Sequence, residues 1–286
     1  MDLPYFADPN ALPSRLPTKE EIESSKDVII DHRTRRVVGI GPHFVVKYGR
    51  RIDPTEGQNM LFVQQNTSVP VPRVYAIYTD SSDGTTYIIM ERITGDSLKS
   101  VWLNFSDVEK TVVSAKLRGS MDQLRRLPSP GSYCRLGNRG LIDEFFGDRG
   151  SSIVGPFDTE AEFNAAMLEY VSNTSRPANA RLYERLFCRV FHDHPPTFTH
   201  GDFQQKNILV RKPKSLDGRP GEDLEVVLID WEFSAWFPSY WESTMALYLC
   251  GRSDDDWYRW LPLILDEYLV ELPLMKMLCS EVCIGC

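Results

Sequence analysis

The sequence predicts a two-part α+β protein: a small strand-rich first part carrying one helix, and a larger, mainly helical second part. Three observations support this. Short β-branched runs punctuated by turn residues fill the region from Val28 to Glu91. Beyond Gly95, apolar residues recur at helical spacing behind helix-start signals. The change of period falls near Ile93, giving a lead-in over 1–27, a strand-rich part over 28–93 and a helix-rich part over 94–286. At 286 residues and 42% hydrophobic, the chain can bury a sizeable core, as one large or two modest domains.

The lead-in is rich in proline and charge, with a short helix around Thr18 to Ser25, and is expected to lie on the surface. Val28-Ile29-Ile30, Arg36 to Gly41 and Phe44 to Tyr48 read as successive strands, with Gly41-Pro42-His43 as a tight turn and Lys47 inside the last strand. After Asp53-Pro54 the period changes. Glu56, Met60, Leu61 and Val63 fit a helix that ends near Asn66, before Val69-Pro70-Val71-Pro72 prevents continuation. Arg73 to Tyr78 and Thr86 to Glu91 form a strand pair across Asp80 to Gly84.

In the second part, Ser106-Asp107-Val108-Glu109 is a capping box: the serine accepts from the amide three residues on, and the glutamate reaches back. Its helix runs to Leu127 and stops at Pro128-Ser129-Pro130-Gly131. Thr159 to Glu162 repeats the start signal, and a third helix follows Pro177. The segment from Ser132 to Asp158 reads as a long surface loop. Ile208-Leu209-Val210 and Val226 to Ile229 read as a hairpin, joined by a polar segment with Asp217-Gly218 and Pro220-Gly221. A helix from the Pro238 region to Cys250, a polar turn at Ser253 to Asp256 and a last apolar helix to about Val270 complete the chain.

A net charge of −8 argues against nucleic acid or an anionic membrane as the main partner, since both need clustered Lys and Arg. The N-terminus lacks a basic region followed by an apolar one, and no stretch approaches the roughly 18 apolar residues of a spanning helix. The six cysteines are sparse and unpatterned, as in a reducing, cytoplasmic setting. Cys188, His192 and His194 lack a fourth zinc ligand at suitable spacing. Cys279, Cys283 and Cys286 read as a frayed tail of reduced thiols.

The chemistry concentrates at the hairpin. His200-Gly201-Asp202 and Asn207 precede its first strand, and Asp230-Trp231-Glu232 follows its second. A hairpin brings its outer ends together, so three oxygen-bearing side chains are expected to converge. Asp202 can take a proton from a hydroxyl. Asn207 and Asp230 offer hard oxygen ligands suited to Mg²⁺, which is typically held by few protein groups plus phosphates. This order resembles the catalytic and metal-binding loops of protein-kinase-like phosphotransferases. With Gly201 where protein kinases carry Arg, and Trp231-Glu232 after the Asp, it is similar to the aminoglycoside phosphotransferase and choline kinase branch. The resemblance runs from about Val37 to Cys250. Val45 to Gly49, Asn66 to Tyr75 and Asp230 to Glu242 look most like fungal-type members.

The resemblance implies a two-lobed protein-kinase-like fold, a small N-lobe and a larger helical C-lobe, with the active site in the cleft. It implies ATP as donor, with GTP as the alternative, together with Mg²⁺ and a small-molecule acceptor bearing a hydroxyl. Asp202 would be the catalytic base, and Asn207 and Asp230 the metal ligands. Lys47 would meet the α- and β-phosphates, held in place by Glu56. Met90 would line the nucleotide pocket, while the main chain of Glu91 and Ile93 would meet the adenine. His200 would brace its loop. The Gly39 to His43 turn would cover the phosphates, although it is shorter than the protein-kinase Gly-x-Gly-x-x-Gly.

The segment Pro238 to Glu242 follows Asp230 closely, leaving little room for a protein-substrate platform. The aromatic residues from Trp231 to Trp260 fit core packing, with an acceptor pocket as the alternative. Asp254-Asp255-Asp256 fits a solvated turn, with attraction of a cationic acceptor as the alternative. A non-catalytic nucleotide-binding scaffold, or transfer of another group on the same fold, are the competing functions. The motifs specify neither the acceptor nor the oligomeric state.

Overall fold

The computed structural model describes residues 2–32, 34–143, 145, 154–175, 177–211, 224–250 and 255–282. The chain forms two compact units, residues 1–95 with 227–232, and residues 96–226 with 233–286.

The first unit is built on β1 (Tyr5–Phe6), α1 (Lys19–Glu23), β2 (Val28–His32), β3 (Arg35–Ile40), β4 (Phe44–Gly49), α2 (Thr55–Asn66), β5 (Val74–Thr79) and β6 (Thr86–Glu91). The strands form one antiparallel sheet in the order β1-β5-β6-β4-β3-β2. Side chains alternate across it. Val38, Val46, Ala76 and Ile89 share a core with Ile22 of α1. Their neighbours Ile77 and Ile88 face α2 instead, packed so closely that a Cβ on Gly57 would meet Ile77 Cδ1 at 2.6 Å. Lys47 lies in register with Ile88, and so also faces α2.

The lead-in does more than lie on the surface. Tyr5 and Phe6 extend the sheet by pairing with Ile77 and Ala76, and Ile22 is fully buried. Thr18 and Glu21 form a complete capping box on α1. A two-residue strand and a five-residue helix carry too few apolar positions to show a period in the sequence.

The second unit contains β7 (Asp96–Ser97), α3 (Leu98–Val101), α4 (Asp107–Arg125), α5 (Glu160–Thr174), α6 (Pro177–Val190), β8 (Pro196–Thr199), β9 (Ile208–Arg211), β10 (Glu225–Leu228), β11 (Ala235–Pro238), α7 (Trp241–Cys250), α8 (Trp257–Ile264) and α9 (Glu271–Glu281). The last two residues of β10 belong to the first unit. Both start signals are realised: Ser106 and Glu109 box α4, and Thr159 accepts from the Glu162 amide at α5. Phe163, Met167, Phe237, Trp241, Met245 and Leu278 anchor the core.

Four expectations need correction. β8 and β11 pair antiparallel with Pro196 opposite Pro238; proline at the end of each run disguises them as turns. The last helix does not run to Val270, because α8 ends at Ile264 and α9 begins at Glu271. Pro273 reads as a breaker, yet a first-turn proline forfeits no helical hydrogen bond. Cys279 is buried in α9 rather than in a frayed tail. The 132–158 segment is not merely surface loop: Tyr133, Leu141 and Phe145 are buried in the second core, and Tyr133 bridges to Phe157. Cys283, Cys286, Asp254 and the Asp217 to Gly221 turn lie outside the described residues. Among the described residues, no helix is long and apolar enough to cross a membrane.

Candidate active site

In the first unit β4 and α2 bring Lys47 and Glu56 together, with Nζ 2.6 Å from Glu56 Oε2. The segment after β10 adds two more carboxylates, Asp230 at 2.9 Å and Glu232 at 3.5 Å from the same ammonium. Between them Trp231 is fully buried. Its indole N–H donates to the Leu228 carbonyl at 2.9 Å, and its own carbonyl accepts from Asn59 at 2.9 Å. Pinning this residue inward turns its two acidic neighbours toward Lys47. Asp230 adopts a left-handed φ of 64°, a conformation costly for a non-glycine residue. Glu232 also accepts from Arg35 Nη1 at 3.0 Å.

The electrostatics of this cluster are lopsided. Burial works against the Lys47 charge, but Glu56, Asp230 and Glu232 more than offset it and hold the ammonium above its ordinary pKa. Burial pushes Glu56 up to about 7; Lys47 opposes the shift, and Asp230 and Glu232 add to it. One cation among three carboxylates leaves excess negative charge. Ligand oxygens of Glu56, Asp230 and Glu232 lie within 4.8 Å of one another, so the donor set suits a hard divalent cation.

β6 ends at the residues expected to meet the base. Met90 is buried and pairs with Val45 and Val74. Glu91 donates its N–H to the Arg73 carbonyl at 2.8 Å, and Arg92 donates its N–H to the His43 carbonyl at 2.9 Å. Ile93 follows the strand, half-buried.

In the second unit β8 delivers His200-Gly201-Asp202. Gly201 has φ 87°, and a Cβ there would fall 2.4 Å from the Phe233 carbonyl oxygen, so only glycine fits the turn. His200 is fully buried, and its Nδ1 accepts the Asp202 N–H at 3.3 Å, which puts the ring proton on Nε2. The Ser234 hydroxyl donates to the His200 carbonyl at 2.8 Å. This is the bracing role expected of the histidine loop.

Asn207 stands against Asp202: its Nδ2 donates to Asp202 Oδ2 at 2.7 Å and to the Asp202 carbonyl at 3.0 Å. With its amide N–H groups committed to Asp202, Asn207 keeps Oδ1 as an acceptor. Gln204 donates to Asp202 Oδ1, and Lys206 Nζ lies 3.1 Å from Oδ2, so the carboxylate is oriented from several sides.

Two functional candidates escaped sequence reasoning. Glu232 appeared there only as a motif letter. Glu242, in the first turn of α7, accepts the His200 N–H at 2.5 Å and the Gly201 N–H at 3.2 Å, and so clamps the loop that carries Asp202. Burial pushes its carboxyl up to about 7, against the pull of those two N–H groups and of Arg125. An acidic residue directly after the bulky apolar stretch Trp236-Phe237 and Tyr240-Trp241 was the available signal, since a carboxylate beside core residues is seldom buried without partners.

The remaining polar candidates have structural partners. His194 lies between Glu160 at 2.7 Å and Glu271 at 3.2 Å, an ion-paired clamp. Asp256 accepts from Trp102 at 2.8 Å and from Lys110 at 2.9 Å. Trp231, Trp236, Phe237, Tyr240, Trp241 and Trp257 are core residues, whereas Tyr258 is half exposed.

A sheet that holds a lysine against a helix carboxylate, with a braced His-Gly-Asp loop in a helical unit, defines a protein-kinase-like phosphotransferase fold. The chain belongs to the phosphotransferase enzyme family APH, whose profile matches residues 54–272. Solved structures agree on the fold. A GDP complex of aminoglycoside 2'-phosphotransferase-IIIa matches with a TM-score of 0.60 at 14% identity, over 89% of this chain and 83% of that one. An apo thermostable mutant of aminoglycoside phosphotransferase APH(4)-Ia matches at 0.56 and 17% identity, over 92% and 90%. A ternary complex of that enzyme with AMP-PNP and hygromycin B matches at 0.55 and 16% identity, over 93% and 96%. No curated protein matches the chain by sequence.

Proposed function

We propose that the protein transfers the γ-phosphate of ATP, with GTP as the alternative donor, to a hydroxyl of a small-molecule acceptor. The observation that carries this reading is the Lys47 ammonium held by Glu56 and Asp230 in a buried setting, ready for phosphate oxygens. Lys47 binds the α- and β-phosphates and Glu56 fixes its reach. Met90 lines the base pocket. The Glu91 N–H is already committed, so the base contacts are the Glu91 carbonyl and the Ile93 main chain.

Asn207 and Asp230 would hold Mg²⁺, since their oxygens are ligands of the type it favours, and the bound ion would neutralise phosphate charge. Asp202 orients the acceptor hydroxyl and takes its proton as the oxygen bonds to the γ-phosphorus and the bond to the β-phosphate oxygen breaks, releasing the nucleoside diphosphate. His200, Gly201 and Glu242 hold Asp202 in place.

Relatives of known structure have been solved with kanamycin, hygromycin B or streptomycin. They support a small-molecule acceptor here, and the net charge of −8 supports neither nucleic acid nor membrane as the partner. The four described cysteines are free thiols, in keeping with a cytoplasmic setting.

Asp202→Asn is the direct test. Phosphorylated product, followed by mass spectrometry across a panel of hydroxylated acceptors, is expected to fall by on the order of 10²–10⁴-fold. Nucleotide binding should persist. Equal turnover by wild type and variant would sink the assignment.

A further inference from the structure

The turn between β3 and β4 is short, with Ile40 paired directly to Phe44 and only Gly41-Pro42-His43 between them. Such a turn offers few main-chain N–H groups to phosphates, so its value as a cover depends on being held in place. The structure holds it from several directions. The Gly39 N–H donates to the Asp27 carbonyl at 2.8 Å. The Ser25 hydroxyl donates to the Gly39 carbonyl at 2.8 Å. At the other end, the His43 carbonyl accepts the Arg92 N–H at 2.9 Å. The Arg92 guanidinium Nη1 then reaches the Gly41 carbonyl at 3.2 Å and Asp27 Oδ2 at 2.5 Å.

Gly39 makes this arrangement possible. A Cβ at that position would fall 2.2 Å from Arg92 Nη1 and 2.3 Å from Asp27 Oδ2, so the ion pair occupies the space a side chain would take. Arg92 also sits between Glu91 and Ile93, the two residues assigned to the base. One side chain therefore ties the base end of the nucleotide site to the turn over its phosphates.

We propose that Arg92, with Asp27 and the space left by Gly39, is a positioning residue that holds the Gly39 to His43 turn in its phosphate-covering place before nucleotide arrives. The inference rests on the reading of the first unit as a nucleotide-triphosphate site. Preorganisation of this kind removes an ordering cost from binding rather than adding a contact. The pair is partly exposed, 30% for Arg92 and 51% for Asp27, so the effect is moderate and sensitive to salt. It is also confined to ligands that carry phosphates.

The experiment compares wild type with Arg92→Ala, Gly39→Ala and Arg92→Lys, titrating each with ATP and with adenosine by calorimetry. Arg92→Ala and Gly39→Ala should each weaken ATP by roughly three- to tenfold and leave adenosine unchanged. Arg92→Lys keeps the positive charge facing Asp27 and should recover part of the loss. Gly39 has an ordinary strand backbone, so its alanine variant displaces the ion pair without altering charge or φ. ATP affinity equal to wild type in both alanine variants overturns the tether and leaves the nucleotide reading standing. Adenosine weakened as much as ATP also overturns it, by revealing general loosening. Wild type that binds neither ligand overturns the nucleotide reading, and the tether with it.

Discussion

Glu242→Ala tests the clamp on the Asp202 loop, and its cost can be worked from the two bonds it removes. The His200 N–H lies in a fully buried residue, so water cannot replace the lost acceptor; the Gly201 N–H is partly buried. Each unsatisfied group costs about 1–3 kcal/mol, giving roughly 2–5 kcal/mol for the pair. Against this stands the penalty of burying the carboxylate, whose pKa is raised from 4.5 to about 7.

For an acid whose folded pKa lies above its unfolded one, the folded state binds more protons between the two values. Stability therefore falls as pH rises through that window, here by about 3 kcal/mol. The alanine variant lacks this dependence. Its deficit should be larger at pH 5 than at pH 8 by roughly 2.5 kcal/mol. Urea unfolding followed by tryptophan fluorescence at both pH values measures the difference, and other titrating groups cancel in the comparison. A deficit that grows with pH, or one below about 0.5 kcal/mol at pH 5, would refute the assignment of the clamp.

Two further outcomes follow from the same loop and its surroundings. His194 is pulled down by burial but pulled up more strongly by Glu160 and then Glu271, so its folded pKa exceeds 6.5. Its stabilisation is complete below pH 6.5 and lost as pH rises through the folded value. His194→Gln should thus cost more at pH 6 than at pH 9, on the order of 1–3 kcal/mol at the lower pH, with imidazole NMR titration locating the midpoint. Gly201→Ala meets both a left-handed φ and the Phe233 carbonyl, and should cost roughly 2–4 kcal/mol in thermal unfolding; a wild-type midpoint would contradict the geometry.

The first unit was largely legible because its signals are local. Strand alternation puts Lys47 on the face opposite Val46, and the change of period after Pro54 places Glu56 in the first turn of a helix. The capping box at Ser106 and the Thr159 cap on the Glu162 amide needed only residues three apart. Glu232 and Glu242 were not legible as participants, since their roles arise from partners distant in sequence: Arg35 and Lys47 for one, the His200 and Gly201 amides for the other. The β8–β11 pair and α9 were hidden by prolines whose positional tolerance depends on geometry that the sequence does not state. Arg92 lay between two residues already marked for the base, yet its bond to the Gly41 carbonyl depends on the turn folding back toward it.

The return of residues 227–232 to the first unit has a consequence for how the protein is made. The strand-rich unit emerges first from the ribosome, but Lys47 then has Glu56 without Asp230 or Glu232, and the Pro70 carbonyl lacks the Leu228 N–H that it accepts at 3.1 Å. Completion waits until most of the second unit has been synthesised. The nascent sheet therefore carries an unfinished charged interior through much of translation, and a fragment of residues 1–95 would be a truncated intermediate rather than an independent nucleotide-binding module.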